Sequence, residues 1–295
     1  MDLAGLSRGA GKGEGLGNAF LNFVADADAL IQVIRCFANS AVEHPEGSVD
    51  PLRDWDIVEN ELVFRDLGVI DNRLGKLNSK KKLTPEETAE KNLLDQCYNC
   101  LMEEKPLRSI QLKPEEWRQL RGFAFVTSKP EIIVLNLDES QSDDTKIPRW
   151  DELKKRAEEH GVKLCKLYGS LEMDVAELEP EEAAEFTEGL NITEPGRERL
   201  IEEAYRTLGL ISFFTCGPDE VRAWTLHDGE NAVDAAGAIH SDLARGFIRA
   251  QVVAYDDYAS HANSFDECRK AGCLRLEGKE YLVKDGDMIE IRFNV

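Results

Sequence analysis

No apolar run in this 295-residue chain approaches the length of a membrane span, so no transmembrane anchor is expected. The N-terminus also lacks the basic and apolar regions of a signal peptide, and export is not expected. Basic residues are in deficit, 36 against 57 acidic ones, for a net charge of −21. A broad nucleic-acid surface needs a basic stripe, so DNA is not an expected partner. Seven cysteines are an odd number in a chain without an export signal, which argues for reduced thiols over a disulfide framework. Together these absences predict a cytoplasmic protein that engages neither membrane nor DNA. What remains, 42% hydrophobic and 32% charged residues, is the composition of a globular protein long enough for two or three domains.

Catalytic constellations are scarce too. No Ser-His-Asp or Cys-His arrangement rises above chance, and Cys97-x-x-Cys100 has no second C-x-x-C and no nearby histidine pair. Both thiols fall at helical spacing, so buried packing is the expected role. Cys268 and Cys273 have no evident ligand companions, and His160, His227, His240 and His261 are scattered. The G-x-x-x-x-G-K-[ST] phosphate cradle is missing from the sequence. Yet Asp2-Leu3-Ala4-Gly5 has the D-x-x-G spacing that reaches a terminal phosphate in P-loop NTPases. There the carboxylate holds the Mg²⁺ shell, and the glycine lets a backbone N–H approach the γ-phosphate. The glycines at 9, 11, 13, 15 and 17 suit a mobile switch segment after it.

Ala29–Phe37, Ile132–Leu135 and Val162–Tyr168 are compact apolar runs of the kind that form strands buried on both faces. With the helical stretch Trp150–His160 between the last two, they predict a βαβ unit and a parallel α/β sheet. Ligands of such sheets sit beyond the carboxyl ends of the strands. Asn136-Leu137-Asp138-Glu139 and Gly169-Ser170-Leu171-Glu172 both fall there. A helical block interrupts the sheet. Asp50-Pro51 opens it, Val63, Leu67, Ile70, Leu74 and Leu77 form a seam, and Thr84-Pro85-Glu86-Glu87 restarts a helix as a capping box. Ala89, Leu93, Cys97 and Cys100 form the return seam of an antiparallel hairpin. The acidic run Glu177–Glu188 reads as a solvated helix face with Pro180 in its first turn. From Gly209 the pattern becomes β-rich, with strands at Ser212–Thr215, Val221–Leu226, Ile248–Tyr255, Glu280–Val283 and Met288–Asn294. A short helix lies near Asn231–Ala238, and an Asp-Gly turn joins the last two strands.

These residues carry a resemblance to the YchF/Obg-like ATPase family, a branch of the translation-factor class of P-loop GTPases. The stretches that carry it are DLAGLSRGAGKGEGLGNAFL (2–21), RCF (35–37), SVDPLRD (48–54), TSKP (127–130), NLDE (136–139), FFTCGPDEVRAWT (213–225), GAIHSDLARGFIRA (237–250) and LVKDGDMIEIRFNV (282–295). The resemblance implies an α/β fold: an incomplete P-loop NTPase G domain with an inserted antiparallel helical hairpin, and a C-terminal ubiquitin-like β-grasp (TGS) domain. It divides the chain into 1–56 (G domain, first part), 57–125 (helical insertion), 126–208 (G domain, second part) and 209–295 (TGS). It also implies that Met1 lies inside the family's G domain, with the phosphate loop, first switch and first two strands lost.

The implied activity is hydrolysis of ATP, and of GTP, with Mg²⁺, as a nucleotide-dependent switch read by the ribosome, silent in this chain for want of the phosphate loop. The alternative is a nucleotide-free adaptor that binds partners through the hairpin and the TGS domain. By resemblance Asp2 serves the magnesium shell and Gly5 the γ-phosphate. Leu6 stands where Ras-like enzymes carry the water-orienting glutamine and can neither donate nor accept a hydrogen bond. The water would then fall to His44, which is otherwise an exposed loop histidine. Asn136, Leu137 and Glu139 occupy the place of N-K-x-D. Glu139 is one methylene longer than the guanine-clamping aspartate, which removes discrimination against ATP. Gly169, Ser170 and Leu171 resemble the last base-contacting loop.

Overall fold

The computed structural model describes residues 24–141, 143–179, 181–183, 195–217 and 220–294. The chain divides into two compact units between Ala204 and Tyr205.

The first unit is built on a parallel sheet of three strands in the order β1 (Leu30–Arg35), β2 (Glu131–Asn136), β3 (Lys163–Leu167). Only β2 is buried on both faces, with Glu131 through Leu135 enclosed. β1 and β3 depart from the sequence expectation. Among the described residues each pairs with β2 alone, and in β1 Ile31 and Val33 are 47% and 61% exposed. An apolar run cannot by itself distinguish a central strand from an outer one, because that depends on sheet order. Helix α4 (Trp150–His160) crosses from β2 to β3. Its Leu153 and Ala157 pack with Ile133, Leu135, Ile34 and Trp55 in one core. Each leucine and isoleucine among them contributes about 1.5–3 kcal/mol by leaving water.

Between β1 and β2 lie α1 (Pro51–Asn78), α2 (Pro85–Met102) and the short α3 (Pro114–Leu120). Asp50 caps α1 by accepting the Arg53 N–H, with proline in the first turn where its missing N–H costs nothing. The helix runs unbroken from Pro51 through residue 57. Thr84 and Glu87 form the reciprocal capping box of α2. Val63, Ile70 and Leu77 of α1 meet Leu93, Leu94, Cys97 and Leu101 of α2 in a second core. Arg73 pairs with Glu90, and Lys80, just beyond α1, pairs with Glu87. Two buried polar clusters fasten α1 to the segment that leads into β2. Asp66 accepts from Val126 N (3.2 Å), Thr127 N (2.8 Å) and Thr127 Oγ1 (2.7 Å). Arg108 Nη2 holds both Glu59 (2.5 Å) and Glu131 (2.6 Å).

After β3 come α5 (Gly169–Ala176) and α6 (Gly196–Leu208). Pro180 and residues 184–188 of the expected acidic helix lie outside the described residues.

The second unit is a mixed sheet in the order β5-β4-β8-β6-β7: β4 (Leu210–Cys216), β5 (Val221–His227), β6 (Phe247–Ala254), β7 (Arg275–Glu277) and β8 (Asp287–Phe293). Helix α7 (Ala232–Ile239), capped by Asn231, buries Ala232, Ala235 and Ala236 against Phe213, Leu226, Ala250 and Ile289. Three short helices complete it: α8 (Ser241–Arg245), α9 (Tyr255–Ser260) and α10 (Phe265–Ala271). The chain approaches itself closely at Gly246, where a Cβ would lie 2.3 Å from the Asn294 carbonyl oxygen. Glu280–Val283 is not the expected strand of a hairpin with β8. Its backbone bonds instead to the turn before α7, through Ala232 N to Tyr281 O (2.9 Å) and Val283 N to Glu230 O (3.1 Å). The Lys284 N–H is taken by the Asp287 carboxylate at 3.0 Å.

Candidate functional site at the carboxyl edge of the parallel sheet

The three strands of a parallel sheet end on one edge, so the loops that follow them are neighbours by construction. Asn136, the last residue of β2, makes this juxtaposition specific. Its Oδ1 accepts the backbone N–H of Gly169, the first residue of α5, at 3.1 Å. Position 169 leaves no space for a larger residue, since a Cβ would stand 2.9 Å from the same oxygen. Leu137 N donates to Leu167 O at 2.8 Å while the Leu137 side chain is buried in the core beneath. The NLDE and GSL segments are thus held to each other by both backbone and side chain.

With the Gly169 N–H given to Asn136, the next amides of the first turn, at Ser170 and Leu171, have no intrahelical acceptor and point the helix's positive end outward. Ser170 is exposed and Leu171 buried. Glu139 is exposed, in a single turn of 3-10 helix spanning Glu139–Gln141. Asp138 shapes that turn by accepting from Ser140 N at 2.9 Å, which holds its carboxyl below the ordinary carboxylate range.

Gln141 was not singled out in the sequence, yet it ties the turn to β1. Its Oε1 accepts Asp138 N (2.9 Å) and its Nε2 donates to Cys36 O (2.8 Å). Its burial behind a run of polar residues gives no local pattern by which to find it.

His44 lies in the loop between β1 and α1 and is not an exposed histidine. Its Nδ1 accepts the Glu46 N–H at 3.1 Å, which leaves the ring proton on Nε2. That nitrogen is 3.1 Å from Asp54 Oδ2 in the first turn of α1, with side chains 11% and 18% exposed. The pair is close but misaligned, and Asp54 Oδ2 has no hydrogen-bond partner of good geometry. Asp54 Oδ1 is occupied by Arg53. Asp2 and Gly5, with Leu6, lie outside the described residues.

Cys97 is buried between the helices, and burial pushes its thiol up to about 12. The expectation that Cys268 and Cys273 lack companions is overturned. The two thiols and a ring nitrogen of His261 lie within 4.8 Å of one another.

Comparison with known proteins gives a consistent result. The YchF-GTPase_C family, described as a protein of unknown function (DUF933), matches residues 210–294. "Ribosome-binding ATPase YchF" from Haemophilus ducreyi is 38% identical over 296 residues, covering 100% of this chain and 81% of the relative. The proteins of the same name from Bacillus subtilis, at 38%, and Escherichia coli O157:H7, at 37%, share that coverage. The structure of the Schizosaccharomyces pombe YchF GTPase superposes with a TM-score of 0.82 at 33% identity, covering 95% of this chain and 76% of that one. The chain belongs to the YchF family of ribosome-binding ATPases.

Proposed function

We propose that this chain is an Obg-like, ribosome-associated nucleotide-dependent switch whose nucleotide is ATP, with GTP accepted. The observation that carries the reading is the bond from Gly169 N to Asn136 Oδ1, which brings the NLDE and GSL segments together where the base of a nucleotide would lie. Asn136 braces the two loops, Leu137 backs the base, and the Ser170 and Leu171 amides contact it. Glu139 cannot make the bidentate guanine contact in its usual position, so ATP is not rejected. Asp2 serves a Mg²⁺ shell and Gly5 the γ-phosphate, and His44 orients the attacking water. The names of the relatives support both an ATPase and a ribosome partner.

The lysine and the nest of backbone N–H groups that hold β- and γ-phosphates come from a G-x-x-x-x-G-K-[ST] segment. Residues 1–295 contain none. The alternative reading, for residues 1–295 taken alone, is an adaptor that binds ribosomes without turning over nucleotide. The paired helices α1 and α2 and the C-terminal unit, which we take as a TGS-type β-grasp domain, are its contact surfaces. Co-sedimentation with ribosomes and calorimetric titration with Mg²⁺-ATP test the two halves separately. The expected outcome is ribosome binding that is independent of nucleotide. Micromolar ATP binding would overturn the adaptor reading, and absence from the ribosomal pellet would overturn the partner.

A further inference from the structure

Three soft donors converge at one edge of the second unit, remote in sequence from the segments assigned to nucleotide. Cys268 sits on α10 with its side chain fully enclosed. Gly272, at φ 81° on the C-cap of that helix, turns the chain so that Cys273 returns beside it. Cys273 Sγ is 3.3 Å from the Cys268 carbonyl. His261 follows α9, and the two residues after it, Ala262 (φ 55°) and Asn263 (φ 52°), are both left-handed without being glycine. Such residues are strained and persist where the surroundings over-determine them. Here Asn263 N bonds to Tyr258 O at 3.1 Å and Ser264 N to His261 O at 3.2 Å, which fixes the turn. His261 Nδ1 lies 2.7 Å from the Asp257 carbonyl, the kind of backbone contact that orients a metal-ligating imidazole.

We propose that His261, Cys268 and Cys273 form a site for a thiophilic divalent cation, zinc(II), with water in the fourth position. A tetrahedral Zn²⁺ with Zn–S near 2.3 Å sets its donors about 3.7 Å apart. The three atoms, already within 4.8 Å, reach that spacing by small side-chain rotations. Binding is a simple exchange. Zn²⁺ displaces the two thiol protons to solvent, gains two thiolates and a neutral imidazole, and involves no redox change. The assembly is then electrically neutral, which suits a half-enclosed position where a net charge would be penalised. The cationic side chains on α10 do not compete. Arg269 is engaged by Asp266 and Gln251, and Lys270 by Glu267. Oxygen-seeking Mg²⁺ and Ca²⁺ are excluded by the donor set. Half-exposed His261 and Cys273 leave a way in, while buried Cys268 supplies the fixed wall. The metal would tie α9, α10 and the approach to β7 together.

The test is a cobalt(II) titration of the full 295-residue chain, reduced, metal-stripped and held without oxygen. One equivalent should produce thiolate-to-cobalt charge transfer and the visible bands of tetrahedral cobalt, both erased by zinc. Cys273→Ser should abolish the charge-transfer band. His261→Ala, at a half-exposed position that tolerates truncation, should weaken binding at least about tenfold. The double substitution Cys97→Ser, Cys100→Ser should leave the titration unchanged. A folded, reduced chain that shows no charge-transfer band overturns the proposal, as does a disulfide between Cys268 and Cys273 that resists reduction. A band that survives Cys273→Ser or vanishes with the Cys97, Cys100 pair overturns it equally.

Discussion

Asn136 accepts the Gly169 N–H at 3.1 Å, and the same oxygen is what a Cβ at 169 would strike. One contact thus makes two demands, an amide oxygen at the end of β2 and the absence of a side chain at the start of α5.

The pair should therefore behave as a unit. Gly169→Ala is expected to cost roughly 1–3 kcal/mol through displacement of the two loops. Asn136→Ala should cost about 1 kcal/mol for the lost bond. In the double variant the alanine at 136 removes the atom that a 169 methyl would strike, so the losses should fall short of their sum. Denaturant midpoints measure all three, and strict additivity would show that the contact has no energetic content.

Burial of Glu131 beside Glu59, with one Arg108 between them, predicts a pH dependence. Desolvation chiefly pushes the Glu131 carboxyl up to about 8, with the Arg108 charge pulling the other way. A carboxyl with a raised folded pKa binds its proton more tightly in the native state than in the unfolded one. Stability from this group is then full in acid and lost as pH rises from about 5 to about 8. Glu131→Gln keeps a donor toward Glu59 but cannot ionise, so it should remove that loss, on the order of a few kcal/mol across the window. Thermal melts of both proteins across the range decide it, and parallel curves would exclude Glu131 as the source.

Asp66 presents a different case, since its buried carboxylate pairs with Arg65 and also takes two backbone amides and a hydroxyl that are enclosed with it. Asp66→Ala strands the Val126 and Thr127 amides and the Thr127 hydroxyl in the interior. The expected cost is roughly 3–5 kcal/mol, the range for breaking a buried charged network. A loss below about 1 kcal/mol in urea unfolding would mean that water replaces the carboxylate.

The elements that could be read from the sequence are those whose cause is local. Asp50-Pro51 and the Thr84 capping box announce helix termini with a few adjacent residues, and the structure follows them. β2 was legible because four successive apolar residues between turn signals leave a buried strand as the simplest solution. The outer position of β1 and β3, the diversion of Glu280–Val283 to the turn before α7, and the bracing by Gln141 all depend on partners far along the chain. No local period encodes them. The same holds for His261, which reaches Cys268 and Cys273 only through two left-handed residues and a helix cap. At the carboxyl edge, Asn136 and Gly169 were legible as motif residues. The docking of His44 on Asp54 was not, since neither residue has a distinctive neighbour pattern.

Thiol chemistry should sort the cysteines by depth. Burial, reinforced by the Asp54 charge, pushes Cys36 up to about 12, and burial does the same for Cys97. Thiolate is the reactive form, so alkylation of the native chain near neutral pH should spare both while they remain folded. Mass spectrometry of tryptic peptides reads the labels. Modification of Cys97 at the rate of the unfolded chain would show that α1 and α2 part readily.

The arrangement of His44 predicts how its proposed role can be switched. With Nδ1 bound to the Glu46 amide and Nε2 against Asp54, both ring nitrogens face the protein, and neither is free to orient a water. Work on a water therefore requires the loop to release the ring from α1. Asp54→Ala removes the group that the ring rests on, so amide exchange over residues 38–49 should quicken in the 295-residue chain, and unchanged exchange would mean that Asp54 does not hold the loop. The catalytic half needs a chain to which a phosphate loop and its strands are supplied ahead of Met1. There His44→Ala should lower kcat by about a hundredfold, the scale of general-base assistance, with nucleotide affinity nearly unchanged. Asp54→Ala should leave kcat intact or raise it, because the ring is freed and not removed. A His44→Ala protein that hydrolyses ATP at the parental rate would leave His44 as a structural latch between the β1 loop and α1, and the water would have to be positioned by another group.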